Sequence, residues 1–163
     1  MQDALGEDRR VQQFWDAYAA GARVGVKEFT VSKFGDGMNL ADELATNVVM
    51  GKKRAATRLL RDFTELGKRL PTAGGFSVII DGQNSPRCIV RILQVDIKPL
   101  CDVDERFAWD EGGGDCSLEW WRGAYARYFK RQGAREGFAV NDRIEVVLER
   151  FEVVWPPELS DRP

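Results

Sequence analysis

The sequence contains no histidine. That absence removes Ser-His-Asp triads, Cys-His dyads, imidazole-dependent ribonuclease chemistry and every metal site that needs a ring nitrogen. Acid–base work is left to Lys, Asp, Glu, Tyr and Cys. Cysteine is scarce as well. Cys88, Cys101 and Cys116 are an odd number with no close pair, which argues against a disulfide framework or a zinc knuckle. They read as small apolar fillers in a cytoplasmic protein with reduced thiols. No apolar run reaches the roughly 18 residues that a membrane span needs, and Met1–Arg10 lacks the basic start and apolar stretch of a signal peptide. Nor does one sign of charge dominate: 24 basic and 26 acidic residues leave a net charge of −2. Nucleic-acid binding therefore has to come from a local patch.

What is present suits one globular domain: 163 residues, 44 % of them hydrophobic and 31 % charged. Val11, Phe14, Trp15 and Tyr18 recur at helical spacing and predict a helix over 11–20, capped by Asp8 and ended by Gly21. A looser segment follows, in which Lys33–Asp36 reads as a turn. A second helix is expected over 40–50, with Asn39 as its cap, Asp42 and Glu43 in the first turn, a stripe of Leu40, Leu44 and Val48, and Gly51 just past its end. Residues 54–67 permit either a helix or a short strand. Beyond Pro71 the pattern turns to β. A strand is expected over 76–80, a turn at Asp81–Asn84, and a strand over 88–97 with Ile89, Leu93, Val95 and Ile97 on one side. Asp102–Asp115 is an acidic loop ending in three glycines. An amphipathic helix over 118–131 is capped by Ser117. The strand over 144–155 changes parity near Glu149–Arg150, which predicts a bulge or bend. The last six residues read as a frayed tail.

Charge is segregated along the chain. Lys52–Arg69 holds seven basic residues against two acidic ones, Asp102–Glu119 seven acidic against one basic, and Arg122–Arg143 six basic against two acidic. Two basic segments could grip phosphates around a carboxylate-bearing loop, or the charges could simply be solvated faces and internal ion pairs. The aromatics Trp120, Trp121, Tyr125, Tyr128 and Phe129 could stack on bases, though helical spacing is also the signature of a core. Lys53, between Lys52 and Arg54, could act through a neutral amine or hold a phosphate as an ammonium. Asp110, Glu111 and Asp115 lie beside the glycines, where Trp109 could desolvate a carboxyl; the same run admits a divalent cation bound by oxygen.

Phe34-Gly35-Asp36, Ala41-Asp42-Glu43-Leu44-Ala45 and Gly51-Lys52-Lys53-Arg54-Ala55 resemble the ASCH domain, the activating-signal-cointegrator homology family. So do Leu70-Pro71, Val78-Ile79-Ile80-Asp81-Gly82, Phe107-Ala108, Glu111-Gly112, Ser117-Leu118, Trp121-Arg122 and Phe151-Glu152-Val153-Val154. The resemblance covers about residues 30–155. It implies an α+β fold, a PUA-like small β-barrel flanked by helices, with residues 1–29 as a helix and connector packed on it and 156–163 as a tail. It implies a cleft lined by the Gly-x-Lys motif. Some members are reported as single-strand ribonucleases; smaller ones resemble amidohydrolases that deacetylate N4-acetylcytidine with a lysine, a threonine three residues later and a glutamate. The lysine falls on Lys53, the glutamate on Glu111 and the threonine on Ala56. Thr57, one residue on, is expected to point to the other face of a strand.

The expectation is an RNA-binding domain cleaving single-stranded RNA, with Lys53 and Glu111 catalytic. Lys52, Arg54, Arg58, Arg122, Tyr125 and Tyr128 are expected to contact the nucleic acid. No cofactor is required. The alternatives are a binding module without chemistry and the amidohydrolase, weakened by Ala56.

Overall fold

The computed structural model describes residues 2–22, 25 and 28–161. Val11, Trp15 and Tyr18 do share a buried helical stripe. Helix α1, however, runs Gln2–Ala22, and Asp8 lies inside it. The Ala, Leu, Glu, Gln and Arg residues upstream are strong helix formers, so the helix continues past the expected cap. Part of the expected connector, residues 23, 24, 26 and 27, falls outside the described residues, as do 162 and 163 of the expected tail.

The chain divides into two compact units. The first comprises Met1–Gly51, Ala73–Leu93 and Phe151–Pro163. It contains α1, strand β1 (Thr30–Lys33), helix α2 (Met38–Val49) and strand β3 (Phe76–Ile80). β1 pairs parallel to β3, Thr30 opposite Ser77. Its four residues lie where sequence suggested only a loose segment, because a parallel strand leaves no hairpin signal. Asn39 does not cap α2; Gly37 precedes the helix in extended backbone without a side-chain bond. Asp42 instead accepts the Gly82 N–H at 2.8 Å. The buried face of α2 is Ala41, Ala45 and Val48 rather than the leucine stripe. The core of this unit sets Trp15 and Tyr18 of α1 against Phe76, Val78 and Ile80 of β3.

The second unit comprises Lys52–Thr72 and Gln94–Arg150. Residues 54–67 resolve into both alternatives, strand β2 (Ala55–Leu59) followed by helix α3 (Leu60–Thr64). Glu105–Glu111 forms helix α4 and Leu118–Glu136 helix α5. The acidic segment is thus largely helical, with Asp110 and Glu111 closing α4. Asp104 caps α4 by accepting the Phe107 N–H at 2.9 Å. Ser117 caps α5 as expected, accepting the Trp120 N–H at 3.1 Å. Ala55, Leu59, Leu100, Phe107, Trp121, Phe129, Val146 and Leu148 make its core.

Strands β4 (Pro86–Pro99) and β5 (Glu145–Trp155) run through both units, and the sheet order is β1-β3-β4-β5-β2. Cys88, Ile89, Val90 and Ile92 are buried in β4, whereas Leu93 and Ile97 are exposed. A strand covered on both faces carries no simple alternation. The same holds for β5, buried at nearly every position from Val146 to Val153. Its ladder with β2 is continuous from Ala55↔Arg150 to Leu59↔Val146, without the expected bulge there. The tail is not frayed through residue 161: Val153 N–H donates to the Asp161 carboxylate at 2.9 Å, and Asp161 N–H to the Val153 carbonyl at 2.9 Å.

Candidate functional site

The site is built within the second unit by a backbone clamp. Arg54 N–H donates to the Asp110 carbonyl at 2.8 Å, tying the segment before β2 to the last turn of α4. Gly112 ends α4 in the left-handed region, φ 73°, and a side chain there would collide with the Lys52 carbonyl. The Arg150 guanidinium, 3.0 Å from the Asp110 carboxylate, supports the same turn from β5. Two chain segments far apart in sequence are therefore held backbone to backbone, and the side chains on either side of the clamp, Lys53 and Glu111, meet. Lys53 Nζ lies 3.3 Å from Glu111 Oε2, with the two side chains 2 % and 5 % exposed.

Two further groups reach the same carboxylate. Thr57 Oγ1 donates to Glu111 Oε1 at 2.8 Å. The Tyr125 hydroxyl lies 2.8 Å from Oε1 and 2.7 Å from Oε2. Thr57 does lie on the face of the strand opposite Ala56, as expected, but that is the face Glu111 reaches. β2 begins at Ala55; Thr57 shares the face of Ala55 and Leu59, and that face packs on the core that carries α4 and α5. Tyr125 reaches the cluster because it lies one helical turn beyond buried Trp121. Burial raises its phenol well above the ordinary tyrosine value, and the Glu111 charge and hydrogen bond raise it further. It stays protonated and donates.

A second buried carboxylate, Glu149, escaped the sequence reading. It lies on β5 opposite Ala56 and is 8 % exposed. Burial raises its pKa, partly offset by the charges of Arg58 and Lys53. The sequence marked it only as part of the parity change near Glu149–Arg150, in a strand that also carries Glu145, Arg150 and Glu152.

The expected nucleic-acid contacts are dispersed. Lys52 and Arg122 are exposed. The Arg122 guanidinium donates to the Cys101 carbonyl at 3.2 Å, and that of Arg54 to the Lys53 carbonyl at 2.8 Å. Arg58 is half-buried beside Glu149. Tyr125 is not a stacking platform, since its ring packs on Trp121 (4.6 Å) and Phe129 (5.3 Å) and its hydroxyl is engaged with Glu111. Tyr128 packs edge-on against Phe129 with Arg131 above it. Trp109 is 68 % exposed. A separate cleft of about 500 Å³ is lined by Glu105, Arg106, Trp109, Cys116, Ser117 and Leu118, none of them in the Glu111 cluster. Among the described residues, no group of three or more Cys, Asp and Glu side chains is placed to hold a metal ion, so nothing there supports the divalent cation that the acidic run admitted but did not require. Nor, among those residues, is any helix long and apolar enough to cross a membrane.

Comparison with known proteins gives a consistent picture. The family model for the ASCH domain matches residues 30–155. The crystal structure of an ASCH domain from Lactobacillus crispatus JV V101 superposes with a TM-score of 0.81 at 29 % identity, covering 89 % of this chain and 94 % of that one. A protein from Enterococcus faecalis V583, assigned to the DUF984 family model, superposes with a TM-score of 0.83 at 31 % identity, covering 90 % of this chain and 88 % of that one. Among curated proteins, no relative matches the chain. The fold is accordingly α+β with the barrel-like core of the ASCH structures.

Proposed function

Taking as premise that the chain belongs to the ASCH domain family, which is generally associated with RNA binding, we propose that it is a hydrolase for an acylated nucleobase of the N4-acetylcytidine type. The substrate is taken as the nucleoside or as an unpaired base of single-stranded RNA. The carrying observation is the hydroxyl of Thr57 donating to Glu111 at 2.8 Å while Lys53 stands at the other carboxylate oxygen. The hydroxyl that Ala56 lacks is present one residue later.

A hydroxyl bonded to a carboxylate is a nucleophile beside its base. Glu111 takes the Thr57 proton as Oγ1 attacks the acyl carbon. The Lys53 ammonium stabilises the negative oxygen that develops on the carbonyl, a task that preorganised charge in a dry site performs well. The C–N bond breaks, the proton passes from Glu111 to the departing amine, and water then hydrolyses the threonine ester to free acid and enzyme. Tyr125 holds the carboxylate in register. Burial favours this reading over strand cleavage. With Lys53 only 2 % exposed, the cluster suits one small planar group better than a phosphodiester with its flanking sugars.

Single-strand cleavage remains the second reading, favoured by the basic residues of Lys52–Arg69 that adjoin Lys53. In that case Glu111 would deprotonate the 2′-hydroxyl and Lys53 would stabilise the phosphorane-like charge. One experiment separates the two: purified protein is given N4-acetylcytidine and, separately, labelled single-stranded RNA. Release of cytidine by wild type, lost in Thr57→Val and retained in Thr57→Ser, supports the hydrolase. Strand scission that is lost in Lys53→Ala and Glu111→Ala but indifferent to Thr57→Val would replace it with the nuclease.

A further inference from the structure

Helix α4 presents two faces. Phe107, Ala108 and Glu111 are buried, whereas Glu105, Arg106 and Trp109, spaced as neighbours on a helix surface, are exposed. Those three exposed residues, with Cys116, Ser117 and Leu118, line the cleft of about 500 Å³, which falls in the size range of ligand sites. The loop between α4 and α5 is held by its own contacts. Cys116 N–H donates to the Gly113 carbonyl at 2.8 Å, and Ser117 N–H to the Asp115 carboxylate at 2.9 Å. The Trp120 ring lies directly on Gly113 and Gly114, where a side chain on either glycine would collide with it. Trp109 is 68 % exposed and Trp120 40 %. Two exposed tryptophans flanking one short loop contribute little to folding and are the residue type that anchors interfaces. The surroundings are acidic. Glu105 lines the cleft, Asp104 and Asp115 each adjoin a lining residue, and Glu119 follows Leu118; all four are exposed. Arg106 is the single basic residue between Asp102 and Glu119. Hydrogen bonds from Ser117 hold the Asp115 carboxyl below the ordinary aspartate range, so it stays charged. Such a rim repels phosphates and attracts cations.

We propose that this cleft docks an arginine-bearing segment of a basic partner protein, with the guanidinium stacked on Trp109 and forked onto the Glu105 carboxylate. A guanidinium is planar, stacks on an indole face and meets a carboxylate with two N–H groups at once; an ammonium does neither as well. Arg106 opposes a bare polycation, but its donors suit a main-chain carbonyl, which a peptide supplies and a polyamine does not. The surface is independent of the hydrolase reading, because Trp109 and Glu111 leave α4 on different faces, one exposed and one buried.

The test uses the full chain and a fluorophore-labelled synthetic peptide of alternating arginine and glycine, with binding read by anisotropy at moderate ionic strength. Wild type is expected to bind it, and to bind the matching lysine–glycine peptide about threefold or more weakly. Trp109→Ala and Glu105→Gln are each expected to weaken binding of the arginine peptide about fivefold or more, and Trp109→Phe to keep part of the affinity. Both side chains are exposed, so each variant is expected to melt within about two degrees of wild type, which separates lost binding from lost fold. Three results overturn the proposal. The first is a wild type that does not bind the arginine peptide, or binds arginine and lysine peptides alike. The second is affinity that both Trp109→Ala and Glu105→Gln leave unchanged, since general attraction to the acidic surface would then account for it. The third is labelled single-stranded RNA that binds more tightly than the peptide and depends on Trp109, which would make the cleft a nucleic-acid surface instead.

Discussion

The two units of the chain bury polar groups for different ends. In the first, Ser32, Ser77 and Asp81 are buried and close structural bonds. Ser32 and Ser77 share a hydroxyl contact at 2.7 Å across the parallel β1–β3 pair, and Asp81 accepts from Gln83 and Ser85 to shape the turn after β3. The rest of that core is aromatic, with Trp15 against Phe29 at 4.7 Å and edge-on to Phe76 at 5.5 Å. In the second unit Lys53, Thr57 and Tyr125 all converge on the single carboxylate of Glu111. An ion pair withdrawn from water repays its desolvation poorly, and apolar residues of similar size would serve folding as well or better. The helices that carry the site differ in the same sense, although α3 of the second unit is uncapped by a side chain too. α2 in the first unit begins without a side-chain cap, whereas α4 and α5, which carry Glu111 and Tyr125, are each capped by a side chain. Stability in the first unit comes from packing; the second spends some of it on holding charged groups in place.

The sharpest way to break that contrast is to remove the charges. Lys53→Met alone strands a buried carboxylate and is expected to destabilise by roughly 3–5 kcal/mol. The double variant Lys53→Met/Glu111→Gln is expected to melt at or above wild type while hydrolysis of N4-acetylcytidine falls on the order of 10³- to 10⁴-fold, the combined scale of a lost base and a lost charge stabiliser. A double variant that melts as low as Lys53→Met would make the cluster a structural element. The counterpart in the first unit is Trp15→Ala. It should cost roughly 3–5 kcal/mol in denaturant unfolding through the cavity it leaves, with turnover per folded molecule within about twofold of wild type. A large fall in turnover at full folding would mean that the aromatic core also shapes the site.

An intermediate effect is expected at the clamp. Gly112→Ala puts a methyl group against the Lys52 carbonyl at a φ of 73°. Left-handed backbone alone costs a non-glycine residue roughly 1–2 kcal/mol, and the collision adds to it, so the total is expected at about 2–3 kcal/mol. Because the segment that must give way carries Lys53, turnover should fall by at least tenfold, in contrast to Trp15→Ala at comparable or greater loss of stability. Thermal melting and turnover on the same samples separate the two.

How much of this was legible in the chain differs between elements for physical reasons. The start of α5 could be read to the residue, because Ser117 is a strong cap, but the helix runs on to Glu136, past the expected end at 131. Lys53 and Glu111 could be paired through the family resemblance, but no spacing rule brings a residue before a strand onto the end of a helix 58 positions away; the clamp at Asp110 and Gly112 does that. Alternation placed Thr57 on the face of β2 opposite Ala56, but not that this face, shared with Ala55 and Leu59, is the one Glu111 reaches. Glu149 was hidden because β5 is buried on both faces, and parity says nothing in such a strand. Tyr125 looked like one more aromatic of a helical core, which its ring is; only its hydroxyl belongs to the site.

The smallest expected effect sharpens the comparison of helix caps. Ser117 Oγ accepts the Trp120 N–H at the start of α5, and Tyr125 lies two turns further on. Ser117→Ala removes one acceptor from an exposed helix end, which ordinarily costs about 1 kcal/mol. The helix is also held by Trp121 and Phe129, each 1 % exposed, so its body should stay in place. Melting is expected to drop by a few degrees, and turnover to remain within about twofold. If capping serves only folding, Ser117→Gly, whose loss at a cap is smaller, should fall between the two in melting and match both in turnover. A tenfold loss of turnover in Ser117→Ala at nearly unchanged melting would instead make the first turn of α5 the device that holds the Tyr125 hydroxyl on Glu111. The caps of the second unit would then belong to the site rather than to its scaffold.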